Sequence, residues 1–484
     1  MIVLFLVLGP MALGIASLLV RGERRRAARR AILVGGAAWH TLGTLATLTA
    51  WGRQVPVSWQ SFLQLDPIGQ VFLLIISVLF FLVAIYSLGY FQQEQETTLD
   101  DGVSHLYTPC MLFFLAAMTL TTVTPHFGVL WVAVEATTLA SAPLIYYHRH
   151  PGALEAAWKY LLICSVGIAL ALLGLFFVAA SGRAAHVDLT VPSLIHHAAA
   201  LDQRWLRIGC ILVLIGFGTK MGLAPLHNWL PDAHSEAPSP VSALLSGALL
   251  NCAFLGIVRF YQVADAAGLG AFMNRLLILF GLVSLLVATA FIAGQRDYKR
   301  LLAYSSVEHM GILALAVGVG AGAAGLLHAI NHSLTKGLLF LVAGQILTLY
   351  RTKVIGDVTG LLRTAPRVGT LFAIGGLAIV GAPPFAPFVS EFLILQRGVA
   401  HGHYAVMAIY LLCLGIIFVV MSRALFGMLF GAANAEIAQT PALPRRMMIA
   451  PALLALGVAG LGLYLPAGLQ TLVARAATFI GGGS

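Results

Sequence analysis

The sequence predicts an all-α polytopic membrane protein of about 14 transmembrane helices, with two inverted five-helix repeats and broken helices at positions seven and twelve. Three observations carry that prediction. The 484 residues are 60% hydrophobic and only 10% charged, with a mean hydropathy of +0.92, where a soluble domain carries about 25% charged residues. Apolar runs of the roughly 20 residues that span the hydrocarbon follow one another with short polar loops between them. Two runs contain proline clusters beside charges, which lipid tolerates only where protein or a water-filled cavity satisfies the freed carbonyls.

The runs fall in order. Run one, 1–20, is followed by Arg24-Arg25-Arg26 instead of being preceded by positive charge and closed by a small-residue cleavage site, so it reads as a retained helix. Runs two and three, 31–52 and 67–91, complete an N-terminal unit over 1–107. The loop that follows, with Glu94, Glu96, Asp100 and Asp101, is acidic and offers a docking surface for a basic partner. Runs four to eight, 108–124, 126–147, 155–180, 205–229 (with a polar continuation to 238) and 239–262, form the first repeat, 108–262. Runs nine to thirteen, 275–294, 301–320, 322–350, 367–398 and 403–430, form the second, 263–430. Run fourteen, 447–470, belongs to a C-terminal unit over 431–484.

In each repeat the second helix carries a carboxylate, Glu135 or Glu308. The fourth is proline-broken beside a charge, at Pro225 near Lys220 and at Pro383 and Pro384 before Glu391. Interrupted helices in corresponding positions of two halves point to a transport site. An odd number of helices per unit inverts the second copy.

The net charge of +10 is dispersed among loops, which argues for topology and against nucleic acid. Lys and Arg gather in the loops after odd-numbered runs, placing both termini on the outer, periplasmic side. The five cysteines lie in or beside apolar runs without C-x-x-C spacing, so they read as packing residues, and no cofactor is expected in this chain.

Charged residues at bilayer depth cost about 2.5–3.5 kcal/mol on insertion scales and mark function. Burial disfavours a charged Glu135 and a nearby lysine favours it, which leaves a charge state that small movements can switch. Lys220 ends the first half of run seven, where a helix C-terminus suits a cation, and the two residues are expected to pair. His328, His332 and Lys336 recur at i, i+4 and i+8 and so line one helical face. The His-x-x-x-His spacing lacks a third ligand in sequence, so a proton-conducting stripe is expected and a metal is not. Glu308 with His309 is a relay or a structural hydrogen-bonding pair. His227 and His234 either relay protons or cap backbone at the break.

Lys220-Met221 through Leu226-His227, Trp229-Leu230-Pro231-Asp232-Ala233-His234 and Ala237-Pro238, with Ala303-Tyr304-Ser305-Ser306 and the mid-helix Glu135, resemble the antiporter-like proton-translocating subunits shared by respiratory complex I, Mrp antiporters and group 4 [NiFe] hydrogenases. Ser235-Glu236-Ala237-Pro238-Ser239-Pro240, Ser306-Val307-Glu308-His309 and Leu249-Leu250-Asn251-Cys252 are most similar to the F subunit of hydrogenase-4 and formate hydrogenlyase complexes. The resemblance implies a proton path through Glu135, Lys220, His332, Lys336 and Glu391. It also implies a bacterial or archaeal cytoplasmic membrane, neighbouring membrane subunits and a peripheral cytoplasmic redox module. The chain would then belong to an oxidoreductase complex without holding a redox centre itself. Complex I subunits commonly have a lysine where this chain has Asn251, and an amide does not titrate, so the middle of the path must use water, His332 or Lys336. An Mrp-type sodium/proton exchanger and a non-transporting membrane scaffold are the competing functions.

Overall fold

Lipid offers the backbone no hydrogen-bond partners, so a long apolar run must satisfy its own amides and carbonyls, and in the computed structural model of this chain the runs do so as α-helices. The structure describes residues 2–20, 25–49, 62–95, 101–183, 186–433 and 443–480. The first six helices are α1 (Ile2–Leu19), α2 (Arg26–Thr49), α3 (Pro67–Gln95), α4 (Asp101–Val123), α5 (Phe127–Ile145) and α6 (Pro151–Ser181). Then come α7 (Gln203–Met221), α8 (Trp229–Glu236), α9 (Ser239–Ala266), α10 (Gly270–Ile292), α11 (Tyr298–Gly318) and α12 (Gly322–Tyr350). The last five are α13 (Pro366–Ile379), α14 (Ala386–Ala400), α15 (Tyr404–Leu429), α16 (Arg445–Leu463) and α17 (Ala467–Ala477). Of the acidic residues expected at 94–101, Glu96 and Asp100 lie outside the described residues, as do the side chains of Glu94 and Asp101.

Among the described residues, 12 helices are long and apolar enough to cross a membrane: α1 to α6, α9 to α12, α15 and α16. The chain is an all-α multi-pass membrane protein. The expected count of 14 differs because runs seven and twelve are each divided. α7 stops at Met221, where Gly222 turns into the left-handed region at φ +84° and caps the helix. The Ala224–Pro225 peptide is cis, and the chain becomes helical again at Trp229. α13 stops at Ile379, Gly381 sits at φ +70°, Pro383–Pro384 is cis, and α14 starts at Ala386. At 1.5 Å per residue the 14 residues of α13 reach about 21 Å, short of roughly 30 Å of hydrocarbon. Run fourteen is also shorter than expected, because Pro466 separates α16 from α17, a short helix packed on α3.

Burial sorts the helices into two layers. α1, α2, α6, α10, α15 and α16 keep much of their surface outward, with apolar side chains such as Val166, Phe176, Val419 and Leu456 exposed. α9 and α11 are buried over nearly their whole length, apart from Asp265 and Ala266 at the end of α9 and Arg300 at the start of α11, and α12 is buried over most of it. Nearly all polar residues of α11 and α12 therefore meet protein and not lipid. Arg259 of α9, 1% exposed, is held by Asp66 at 2.7 Å and by the carbonyl of Thr122 at 3.2 Å, which ties α9 to the ends of α3 and α4.

Candidate functional site

Lys220 lies in the last turn of α7 and is fully buried. Its Nζ donates to Thr138 Oγ1 at 2.8 Å and Tyr160 OH at 2.6 Å, and stands 4.4 Å over the Tyr160 ring. Glu135, one turn before Thr138 on α5, accepts from Thr138 Oγ1 at 3.4 Å and from Ser165 Oγ at 3.0 Å. The expected ion pair is therefore not a direct one: Thr138 bridges Glu135 and Lys220, because α5 presents the hydroxyl to the ammonium one turn beyond the carboxylate. Tyr160 OH also meets Ser141 Oγ at 2.7 Å, so Thr138 and Tyr160 hold the lysine directly and Glu135, Ser141 and Ser165 stand behind them.

Toward the second half, the Trp229 ring lies 6.1 Å from that of His234, and His234 lies 5.6 Å from Phe340 of α12. His234 Nδ1 meets the Leu230 carbonyl at 2.7 Å, while Nε2 is buried with no protein partner. His227 sits against Tyr304 and Phe291, with Nδ1 likewise buried and unpartnered. A π-helical turn at Leu245–Leu249 precedes Asn251 in α9. Such turns cluster at functional sites. Asn251 Nδ2 donates to the Gly247 carbonyl at 3.0 Å and Ser333 Oγ at 2.7 Å, and its Oδ1 has no partner.

Lys336, also fully buried, donates to the Leu302 carbonyl at 2.6 Å and to Ser305 Oγ. That carbonyl also accepts from Ser306 Oγ, which is 2.8 Å from Ser246 Oγ of α9. Glu308 is 2% exposed with Oε2 unpartnered. The stripe on α12 divides: His332 has both ring nitrogens unpartnered, whereas His328 Nε2 is 2.9 Å from His309 Nδ1 of α11. Glu391 Oε1 lies 3.9 Å from His309 Nδ1. The third group missing beside His-x-x-x-His in sequence is thus supplied across helices, by His309 and Glu391 around His328 and without His332.

Several partners escaped the sequence. Thr138 stands at i+3 from Glu135, a helical neighbour that could have been named. Arg259 inside an apolar run was an equally readable signal. Tyr160 carries no sequence mark, since only packing shows which hydroxyl faces the charge.

A family profile described as NADH:quinone oxidoreductase/Mrp antiporter, TM, matches residues 124–439. The chain belongs to this family of antiporter-like membrane subunits. Within it the similarity is to hydrogenase-4-type subunits. The chain is 41% identical over 356 residues to the Hydrogenase-4 component F homolog of Methylacidiphilum infernorum (isolate V4), covering 71% of this chain and 74% of that one. It is 30% identical over 349 residues to Hydrogenase-4 component B of Escherichia coli (strain K12), covering 69% of this chain but only 50% of the relative. In fold it is similar to a chain of the membrane-bound sulfane sulfur reductase, an archaeal respiratory membrane complex, with a TM-score of 0.88 at 23% identity over 99% of this chain and 97% of the other.

Proposed function

We propose that this chain is a proton-translocating membrane subunit of a redox-driven complex of the hydrogenase-4 or a related complex I-like type, with no redox centre of its own. The carrying observation is the series of ionisable side chains from the half-buried Glu135 through the buried Lys220, His234, His332 and Lys336 to Glu391, interspersed with hydroxyls and with buried polar atoms that have no protein partner. Buried polar atoms are normally satisfied, and a water bridging two to four of them is the usual solution. Internal waters at His234, Asn251, Glu308 and His332 would join the hydrogen-bonded groups into one conducting series, which removes the need for a titrating side chain at Asn251. The partner's redox chemistry switches the state of Glu135 and Lys220 through Thr138.

The same reading makes α7 with α8, and α13 with α14, two further crossings, for 14 in all. Gln203 at the start of α7 donates to the Ala267 carbonyl at the end of α9, while α8 ends at Glu236 beside the start of α9, so the broken pair runs the length of its 28-residue neighbour. Gly360 before α13 bonds Phe430 after α15, and α14 ends just before α15 begins. Matched breaks support two inverted repeats, over 108–262 and 263–430, behind an N-terminal unit of three helices. Other membrane subunits and a cytoplasmic redox module are the expected partners, in a bacterial or archaeal cytoplasmic membrane.

The test is proton uptake by the reconstituted complex. Lys220→Ala and Glu135→Gln should each abolish it while assembly is normal. Retained pumping in either variant sinks the proposal, and loss of pumping on sodium removal favours the Mrp-type exchange instead.

A further inference from the structure

The hydrogen bonds around His309 and His328 hold both rings in position, each with its outer nitrogen on an oxygen. His309 Nε2 faces the Ile379 carbonyl at 3.3 Å, so it carries a hydrogen. His328 Nδ1 faces Ser390 Oγ at 3.0 Å. That hydroxyl also reaches the Pro387 carbonyl at 2.9 Å and accepts from Asn331 Nδ2 at 3.1 Å, so a network of polar groups holds the outer nitrogen of His328. The inner nitrogens of the two rings are His309 Nδ1 and His328 Nε2. These two atoms face each other at 2.9 Å. At that distance one nitrogen donates its hydrogen to the other, or a cation bridges the two lone pairs in place of that proton.

A carboxylate stands at the same point. The ligand atoms of His309, His328 and Glu391 all lie within 4.8 Å of one another, and all three residues are buried. Metal-binding imidazoles have this form, with the second nitrogen held by an oxygen that sets tautomer and ring direction. Two imidazole nitrogens and one carboxylate suit Zn2+, whose bonds to nitrogen of about 2.0–2.1 Å at a tetrahedral angle put two nitrogens roughly 3.3 Å apart. The two rings need to part by only a few tenths of an ångström to seat it. His332, with its ring 5.2 Å from that of His309 and both nitrogens unpartnered, is the nearest further donor.

We propose that His309, His328 and Glu391 form a binding site for a borderline divalent cation, represented by Zn2+, which competes with the proton that the two imidazoles otherwise share. The approach runs through the second helix break. Gly381 is half-buried and packs directly on Glu391 Oε2, beside the exposed Pro383 and Pro384, so one residue without a side chain separates the carboxylate from the surface. Binding stands on this geometry alone. Its consequence, closure of the path at its Glu391 end, rests on the reading proposed above.

The experiment is a zinc titration of the full chain in lipid nanodiscs against a chromophoric chelator, with X-ray absorption at one equivalent of metal. The expected result is one tight site with two imidazole nitrogens and a carboxylate oxygen. His328→Gln should weaken it about 100-fold or more, and Ser390→Ala, which removes only the oxygen orienting His328, about 10–100-fold. The surface variant His196→Ala/His197→Ala should leave it unchanged. Absence of a stoichiometric site, or equal affinity in the wild type and Ser390→Ala, overturns the proposal, and the second variant keeps the test valid if His328→Gln does not fold. The readout needs no proton translocation, so its failure is separate from failure of the Lys220 experiment.

Discussion

At the scale of single residues, the hydroxyl of Thr138 decides how Glu135 and Lys220 communicate. It accepts from the ammonium at 2.8 Å and donates to the carboxylate at 3.4 Å, so a proton or a shift in charge on one side is felt at the other through one rotatable group. Thr138→Val keeps the shape and removes that group. A hydrogen bond to a charged partner is worth about 1.5–3 kcal/mol, which converts to a rate loss of roughly 10–100-fold if the bond forms on the transport route. Proton uptake by the Thr138→Val complex should fall by that much with assembly normal, and an unchanged rate would show that Thr138 is only a packing residue. Lys220 and Glu135 were legible in sequence because ionisable groups in apolar runs are expensive. Thr138 and Tyr160 were not, since hydroxyls are common in such helices and their direction is set by how α5, α6 and α7 pack.

At the scale of the element, α5 is the helix whose placement matters most, since it carries both Glu135 and Thr138. Its N-terminus is capped by His126, whose Nδ1 accepts from the amides of Gly128 at 3.1 Å and Val129 at 3.4 Å. Burial lowers the pKa of His126 from its ordinary value, against the opposing charge of Asp188. A neutral ring suits the cap, because protonation removes the lone pair that accepts. The folded value is depressed, so this cap is fully formed above the ordinary imidazole pKa of about 6.5 and is lost as pH falls through the lower folded value. Protection of the amides at residues 128–130 against hydrogen exchange, taken relative to the intrinsic rate at each pH, should therefore fall on acidification, and His126→Asn, which caps without titrating, should abolish that fall. Exchange that is independent of pH-linked opening in the wild type would remove His126 from this role. Helix breaks, unlike caps made by histidine, could be read directly: Gly222 and Pro225 announce the first, Gly381 to Pro384 the second. The π-helical turn before Asn251 could not, because Leu245-Ser246-Gly247-Ala248-Leu249 contains nothing that an ordinary apolar helix lacks.

At the scale of the whole molecule, the carboxylates of α8 gather basic side chains from several helix ends and loops. Asp232 of α8 binds Lys159 at 3.0 Å and Arg300 at 2.9 Å, and Glu236 binds Lys353 at 2.9 Å and His150 at 3.4 Å. The partners come from the start of α6, the start of α11 and the loop after α12, so the basic loops are drawn to the end of α8 by its carboxylates. Sequence foresaw these loops as topological signals, and the all-α class followed from apolar length alone. Their convergence on Asp232 and Glu236 was hidden, because it joins residues up to 117 positions apart. Concentration of Lys and Arg at one end predicts that this end faces the cytoplasm. Gly356, exposed with open space around it in the loop after α12, and His196, exposed in the connection between α6 and α7, lie on opposite sides under that orientation. In intact cells a membrane-impermeant thiol reagent should label His196→Cys at once and Gly356→Cys only after permeabilisation. The reverse pattern would turn the molecule over, place both termini in the cytoplasm, and put the docking face for a redox module at the opposite end from Asp232 and Glu236.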